Sequence, residues 1–201
     1  MDSPPNIVAI SACMQRLSRT HSLVTTLLSS IACCLPVQIQ VVELGEIGPY
    51  IAGLDADDAL PAPVASAVTA IESADLLVIA SPVVHSCYVS LLKHLFEFVH
   101  RDALEDMPVL LADCGGEGRT GLIVDRALGP QLDFFRVRRL PLGVHANDSE
   151  FERYDIAATS LRERVALAAR SVACHFASGS GADRRGLHAI RSGQATPPGL
   201  H

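Results

Sequence analysis

The chain has 201 residues, of which 49% are hydrophobic and 19% are charged. This length and apolar content fit one α/β domain with a well-buried core and argue against a disordered chain. The net charge of -6 argues against a general nucleic-acid surface, which would need clustered Lys and Arg. We therefore expect small molecules as partners.

The first residues, MDSPPN, lack the basic and apolar regions of a signal peptide, and no apolar run approaches the ~18 residues that span a membrane. The sequence thus predicts a cytoplasmic protein that does not bind a membrane. The cysteines have no CxxC or zinc spacing, so we expect reduced and mostly buried thiols. The six cysteines are Cys13, Cys33, Cys34, Cys87, Cys114 and Cys174.

The first part of the chain is predicted to alternate strand, helix and strand. An apolar strand is expected at Asn6–Ser11, followed by a polar connection and a helix over Arg19–Cys34. Residues 37–44 alternate like a second strand. Residues 45–63 contain Gly, Pro and Asp with little periodicity, which predicts a long loop that covers a ligand or makes a subunit contact.

A central buried strand is predicted at residues 76–79, where four apolar residues occur without polar alternation. A short helix over residues 64–73 leads into it, and Pro82 ends it because proline cannot donate to the ladder. Apolar residues over 89–99 recur at three- and four-residue spacings, which indicates an amphipathic helix. Because open α/β sheets bind ligands at the carboxyl ends of their strands, the turn at 81–88 is the first candidate site.

The remaining elements complete an alternating pattern. They are expected at residues 107–112 (strand), 122–135 (helix), 139–144 (strand) and 156–176 (helix). Five strands alternating with five helices predict an α/β fold, a flavodoxin-like doubly wound five-stranded parallel sheet with helices on both faces. This domain would span residues 1–176. Residues 177–201 are rich in Gly, Ser and Arg, which predicts a disordered tail.

The start of the first helix contains groups that suit an anion. Ser18, Arg19 and Thr20 supply a hydroxyl N-cap, backbone N–H groups and a guanidinium, which together fit a phosphate. The same residues also fit an ordinary N-cap followed by an exposed arginine, and the stretch alone leaves both interpretations open.

Two other motifs carry less weight. Gly116, Gly118 and Gly121 match the dinucleotide pattern GxGxxG, but they follow the fourth strand, and no acidic residue ends the next strand to bind a ribose. We therefore do not assign a Rossmann site. His94 and His100 have no partners at metal-ligand spacing and are interpreted as surface histidines, so no metal site is predicted.

The order of elements and several motifs together are similar to the NAD(P)H-dependent FMN reductase family, most closely to the flavin reductases that serve two-component alkanesulfonate monooxygenases. The resemblance covers about residues 6–176. Its most specific part is the run ADLLVIASPVVHSCYVSLLKHLFEFVHRDALEDMPVLLADCGG, which contains the Ser/Thr-Pro-Val turn and the Gly-Gly after the fourth strand. VDRALGPQL and GVHANDS fit the same group.

The resemblance implies a set of flavin-binding residues and no catalytic acid or base. The FMN phosphate would be held by Ser18, Arg19 and Thr20, and Cys13 in the first loop is a further cofactor-binding candidate. The isoalloxazine ring would lie along Pro82, Val83, Val84 and His85, and its pyrimidine edge would lie near Gly115 and Gly116. His85 has a second interpretation, a loop histidine exposed to water. The family usually has Gly-Ser and then Arg in the first loop, whereas this chain has Ala12, Cys13 and Gln15, with Arg16 one place later.

The implied activity is hydride transfer from NADPH or NADH to FMN, with reduced flavin passed to a flavin-dependent monooxygenase. A homodimer or homotetramer is the implied assembly. Two alternatives remain at this point: a quinone, azo or metal-ion reductase that keeps its FMN bound, and a catalytically weak flavin-binding accessory protein.

Overall fold

The computed structural model describes residues 3–15, 17–55, 58–83, 90–116 and 123–178. Its strands and helices alternate as predicted over most of the chain, with the differences described below. The strands are β1 (Asn6–Ser11), β2 (Gln38–Glu43), β3 (Leu76–Pro82), β4 (Pro108–Cys114), β5 (Arg138–Arg139), β6 (Val144–Ala146), β7 (Phe151–Glu152) and β8 (Asp155–Ile156). The helices are α1 (Arg19–Cys34), α2 (Leu44–Ile51), α3 (Ala62–Glu72), α4 (Ser90–Glu97), α5 (Ile123–Phe134) and α6 (Thr159–Ala177).

The main sheet is parallel, with the strand order β2-β1-β3-β4-β5 and β6 paired to the carboxyl half of β4. This is the 2-1-3-4-5 order of flavodoxin-like folds, in which the strand order reverses between β1 and β3. The prediction of a doubly wound α/β sheet is therefore confirmed. The reversal leaves a crevice at the carboxyl ends of β1 and β3, where such folds bind their ligands.

Two apolar layers cover the sheet, one on each face. Alternate residues of the buried strands point to opposite faces, so Leu77 and Ile79 pack under α2–α5, whereas Leu76 and Val78 pack under α1 and α6. All four of these side chains are fully buried. This continuous apolar run explains why the central strand was recognisable from the sequence.

The prediction of a long loop over residues 45–63 is wrong, because the first part of this segment is helix α2. Leu44, Ile47 and Ile51 are buried at helical spacing, although Gly45 and Pro49 interrupt the pattern. A side chain at Gly45 would place its Cβ 2.8 Å from the carbonyl oxygen of Met14. The glycine is therefore needed so that the loop after β1 can run directly over α2.

The fifth strand predicted over residues 139–144 is two short strands, β5 and β6. Pro141 has no N–H to donate, so the segment between them cannot continue the ladder. The last helix starts at Thr159 rather than at Ile156, because residues 151–156 form the antiparallel hairpin β7–β8. Arg153 in its turn has φ +60°, a left-handed conformation that suits a tight reversal.

The cysteine prediction is only partly right. Cys114 is buried and Cys13 is half-buried, but Cys33, Cys34 and Cys174 are exposed, and these five are free thiols. Cys87 and the expected tail beyond Ser178 lie outside the described residues. Within the described ranges, none of the helices is both long and apolar enough to cross a bilayer.

Candidate functional site

The carboxyl ends of β1 and β3 are joined directly at the reversal of strand order. The backbone N–H of Ala12 donates to the carbonyl of Ala80 at 2.8 Å, which fixes the start of the first loop beside the end of β3. Ser11, the last residue of β1, is fully buried, and its hydroxyl has no hydrogen-bond partner among the described residues. A buried hydroxyl without a partner costs free energy, and such unsatisfied groups in native proteins call for an explanation such as a functional site nearby.

The first turn of α1 follows this loop. Ser18 is the N-cap, and its hydroxyl accepts a hydrogen bond from the N–H of His21 at 3.0 Å, as predicted for a serine in this position. Thr20 is 2% exposed, so its side chain belongs to the buried face of the helix. His21 also lies 2.8 Å from the Glu43 carboxylate at the end of β2. The turn thus presents its backbone N–H groups and dipole at the same edge as Ser11.

The guanidinium of Arg19 is engaged by protein groups. Its terminal nitrogen lies 2.7 Å from the Asp148 carboxylate, and its Nε donates to the carbonyl of Arg153 at 3.2 Å. Asp148 follows β6, and Arg153 lies in the β7–β8 turn. The first helix is therefore tied to the segment that follows the last strand of the main sheet. Arg19 was predicted from the sequence, but its carboxylate partner was not.

The two glycines after β4 both have positive φ, +126° at Gly115 and +81° at Gly116. Gly115 donates to the carbonyl of Ala146, and a Cβ at Gly115 would lie 2.8 Å from the carbonyl oxygen of Val83. Val83 in turn donates to the carbonyl of Cys114 at 2.7 Å. Position 115 therefore requires glycine because two backbone segments of the protein approach closely there, whether or not a ligand is bound.

Cys114 ends β4 with its thiol in the apolar layer under α1 and α6. Burial raises the pKa of this thiol to about 12, with a further contribution from the charge of Asp148, while Arg19 acts in the opposite sense. Cys114 is therefore a protonated core thiol at neutral pH, not a nucleophile. Cys114 pairs with Ala146 of β6, two residues before Asp148, so the ion pair of Arg19 and Asp148 lies near the carboxyl end of β4.

A buried carboxylate and a histidine lie at the same edge but on the other face of the sheet. Asp113 is fully buried, and its two oxygens accept from the N–H of Val124 at 3.1 Å and contact Nδ1 of His145 at 2.5 Å. Asp113 thus connects the end of β4, the start of α5 and strand β6. Such a carboxylate is tolerated inside a protein only when its oxygens are satisfied. An aspartate ending the apolar run MPVLLA is the signal by which the sequence could have indicated this pair.

The loop after β6 is held by a second polar cluster. The guanidinium of Arg164 on α6 contacts the Glu150 carboxylate at 2.6 Å and donates to the carbonyl of His145 at 3.0 Å. Burial alone would raise the pKa of Glu150, but hydrogen bonds from Arg164, the N–H of Asn147 and Ser160 outweigh it and lower that pKa. The loop that carries Asp148 is therefore anchored on both sides.

The structure brings most of the predicted site residues to one edge of the sheet. Cys13, Ser18 and Arg19 follow β1, Pro82 and Val83 end or follow β3, and Gly115 and Gly116 follow β4. Val84 and His85 lie outside the described residues, as do Arg16 and two of the GxGxxG glycines. The flavin contacts themselves stay predictions. Of the two histidines interpreted as surface residues, His94 pairs with Glu97 at 2.7 Å, and His100 accepts from the N–H of Asp102.

Comparison with known proteins identifies relatives that cover nearly the whole domain. The family model described as NADPH-dependent FMN reductase matches residues 5–151. FMN reductase (NADPH) of Pseudomonas aeruginosa strain PAO1 is 40% identical over 176 residues, which cover 88% of this chain and 95% of the relative. NADH-dependent FMN reductase SfnF of Pseudomonas fluorescens Pf0-1 is also 40% identical over 176 residues, with 88% and 94% covered.

A solved structure agrees with this result. An oxidoreductase from Corynebacterium diphtheriae superposes with a TM-score of 0.74 at 26% identity, covering 85% of this chain and 96% of that one. The two curated relatives differ in the nicotinamide nucleotide in their names, although their identity to this chain is the same.

Proposed function

Since the chain belongs to the NADPH-dependent FMN reductase family, we propose that it binds FMN across the carboxyl ends of β1, β3 and β4 and releases reduced flavin to a separate monooxygenase. The reaction is the oxidation of NADPH or NADH by FMN. FMN supplies the hydride-accepting ring when it is bound, so the protein needs to bind and orient the two nucleotides rather than to provide an acid or base.

The residues at the sheet edge fit FMN. The phosphate would lie at the N-terminus of α1, where Ser18, Arg19 and Thr20 open the helix and the buried Ser11 hydroxyl lacks a protein partner. Cys13 replaces a serine in this loop and keeps only a weak S–H donor. The ring would lie along Pro82 and Val83 and the following residues 84–85.

Gly115 and Gly116 would face the pyrimidine edge of the ring. Gly115 is buried and held by the neighbouring backbones, whereas Gly116 is half-buried and carries its own positive φ. Gly116 is therefore the residue of the two at which a ligand could approach the backbone.

The observation that supports release of the flavin is the charge balance of the first turn of α1. Its two basic side chains, Arg19 and His21, each face a carboxylate, Asp148 and Glu43 respectively. An anion at this turn meets backbone N–H groups and hydroxyls but no uncompensated cation among the described residues. Such a site favours exchange of FMN over permanent retention.

Absorption spectra of the purified protein, taken before and after addition of FMN and NADPH, test this proposal. We expect a colourless protein that oxidises NADPH or NADH only when FMN is added. A yellow protein that retains FMN through gel filtration would favour the reductases with a bound flavin. Failure to oxidise either nucleotide in the presence of FMN would favour the accessory protein.

Delivery to the partner is tested by a coupled assay with a flavin-dependent monooxygenase that has no reductase activity. We expect product only when this chain, FMN and a nicotinamide nucleotide are all present. The homodimer or homotetramer implied by the resemblance stays a prediction, which light scattering would test. Location in the cytoplasm likewise stays a prediction, to be tested by fractionation.

A further inference from the structure

We propose that Asp148 sets how strongly this protein discriminates FMN from flavins without a phosphate, because its carboxylate competes with the phosphate for Arg19. This inference rests on the proposed phosphate site at the start of α1. Asp148, in the segment after β6, would lower the affinity of the site for the anion rather than contribute to it.

The geometry places the carboxylate where an incoming phosphate would need the guanidinium. Arg19 is the first residue of α1, so its backbone lies at the positive end of the helix dipole. Its side chain turns to Asp148 at 2.7 Å and to the carbonyl of Arg153 at 3.2 Å. Two of the five N–H donors of the guanidinium, one on Nη1 and one on Nε, are therefore already engaged by acceptors from the protein, and the positive charge is already balanced by a carboxylate.

The ion pair is open enough to exchange. The side chains of Arg19 and Asp148 are 39% and 41% exposed, so water screens the attraction between them. A phosphate monoester carries roughly 1.5 to 2 negative charges at neutral pH, compared with one on the carboxylate. The phosphate can therefore displace Asp148 from Arg19, but binding then includes the cost of breaking the pair and of placing two anions near each other.

The loop that carries Asp148 cannot simply move away. Glu150, two residues later, is fixed by Arg164 at 2.6 Å and by Ser160 at 3.1 Å, and Asn147 donates to Glu150 at 2.9 Å. Asp148 is thus held near the end of β4 by contacts that do not involve Arg19. Its negative charge stays close to the proposed phosphate whether or not the ion pair is formed.

The test uses Asp148→Asn, which keeps the size of the side chain and removes its charge. Fluorescence titrations give the Kd of the oxidised protein for FMN and for riboflavin, which lacks the phosphate. We expect FMN to bind about 1.4- to fivefold more tightly, with riboflavin unchanged, because exposed ion pairs are worth about 0.2–1 kcal/mol and 1.4 kcal/mol corresponds to a factor of ten. In an Arg19→Ala background the same substitution should have a smaller effect on FMN.

Glu105→Gln is the matched control. Glu105 pairs with Arg136 at 3.0 Å, is partly exposed, and lies before β4 at the opposite end of the strand. Its substitution should change neither Kd. Asp148→Ala serves as a second variant if Asp148→Asn lowers the melting temperature. If both variants bind FMN more tightly, the effect comes from the lost charge and not from a change in stability.

The possible outcomes separate this inference from the site on which it rests. If Arg19→Ala weakens FMN binding selectively but Asp148→Asn does not lower the Kd for FMN relative to that for riboflavin, the competition is overturned and the phosphate site stands. If Arg19→Ala affects both flavins equally, the proposed phosphate site is wrong, and the role of Asp148 is wrong with it.

Discussion

At Gly115 the space around one Cα decides which residue the chain can carry. Gly115→Ala would place a methyl group 2.8 Å from the Val83 carbonyl oxygen at φ +126°. We expect the free energy of unfolding to fall by about 1–3 kcal/mol, as for other strained backbone positions. Urea denaturation measures this loss.

Gly53→Ala is the control for that experiment, because Gly53 also has a positive φ, +87°, but nothing lies within 4 Å of a Cβ built there. Its substitution should cost only the backbone strain of about 1–2 kcal/mol, so any further loss at Gly115 measures the contact with Val83. Equal stability of the Gly115 variant and the wild type would contradict the packing argument. It would leave flavin contact as the remaining reason for a glycine at position 115.

The buried thiol of Cys114 should make the free energy of unfolding fall at alkaline pH. Its pKa is about 12 in the folded protein and about 9.0 without burial, so the unfolded thiol ionises first. Stability from this group is complete below pH 9 and is lost as the pH rises towards 12. By pH 10.5 the loss should reach roughly 2 kcal/mol, since one pKa unit corresponds to about 1.4 kcal/mol.

The measurement compares the wild type with Cys114→Ala in urea at pH 8 and pH 10.5. The wild type should lose more stability over this interval than the variant does. Cys174→Ala, which removes an exposed thiol, should lose as much as the wild type. Parallel losses in all three proteins would show that the Cys114 thiol ionises normally in the fold.

The residues around the first loop show which single-residue roles could be predicted from the sequence and which could not. Ser18 was predicted as a helix N-cap because capping depends on residues three positions apart. Asp148 was not predicted as the partner of Arg19, because 129 positions separate them and only the folded sheet brings them together. The buried Ser11 hydroxyl was missed for the same reason.

At the level of elements, Asp113 joins three pieces of the fold through one carboxylate. Removing it would leave His145 without a partner for Nδ1 and the N–H of Val124 without its acceptor. We expect Asp113→Ala to destabilise the protein by about 1–3 kcal/mol, the range for leaving a buried donor without its acceptor. A double-mutant cycle with His145→Ala should give a coupling energy above about 1 kcal/mol.

The chain contains a matched control for this cycle. His94 and Glu97 form the same kind of pair on α4, but the Glu97 side chain is 58% exposed. The corresponding cycle should give at most about 0.5 kcal/mol, as for exposed helix pairs. Equal coupling energies in the two cycles would show that burial adds nothing to the Asp113–His145 interaction.

Helix α2 shows why an element can escape prediction. Its Gly45, Gly48 and Pro49 are individually typical of loops, and they outweighed the helical spacing of Leu44, Ile47 and Ile51. The reason for a glycine at position 45 lies in the backbone of Met14, which passes within contact distance. Local propensity was overridden by packing against a segment that only the tertiary structure supplies.

For the whole molecule, the doubly wound parallel sheet was predictable from simple patterns. Buried parallel strands read as continuous apolar runs, and the βαβ alternation leaves few possible topologies. The irregular part after β4 was less predictable, because Pro141 splits one expected strand into β5 and β6 and a short hairpin precedes α6. That irregular part carries Asp148, so the least predictable segment of the fold contributes to the candidate site.

The last prediction concerns the boundary of the domain, which we place at the end of α6. In that helix Val165, Ala169 and Val172 are buried against the sheet, whereas Ala177 and Ser178 are exposed. A chain ending at Gly179 should therefore keep its melting temperature and its rate of FMN reduction, because the composition of the removed residues cannot bury a core. A chain ending at Arg170 is the control: it lacks Val172 and should fail to fold, since α6 would lose its last apolar turns on α1. A large loss of stability or activity in the Gly179 chain would mean that residues beyond α6 pack against the domain and belong to it.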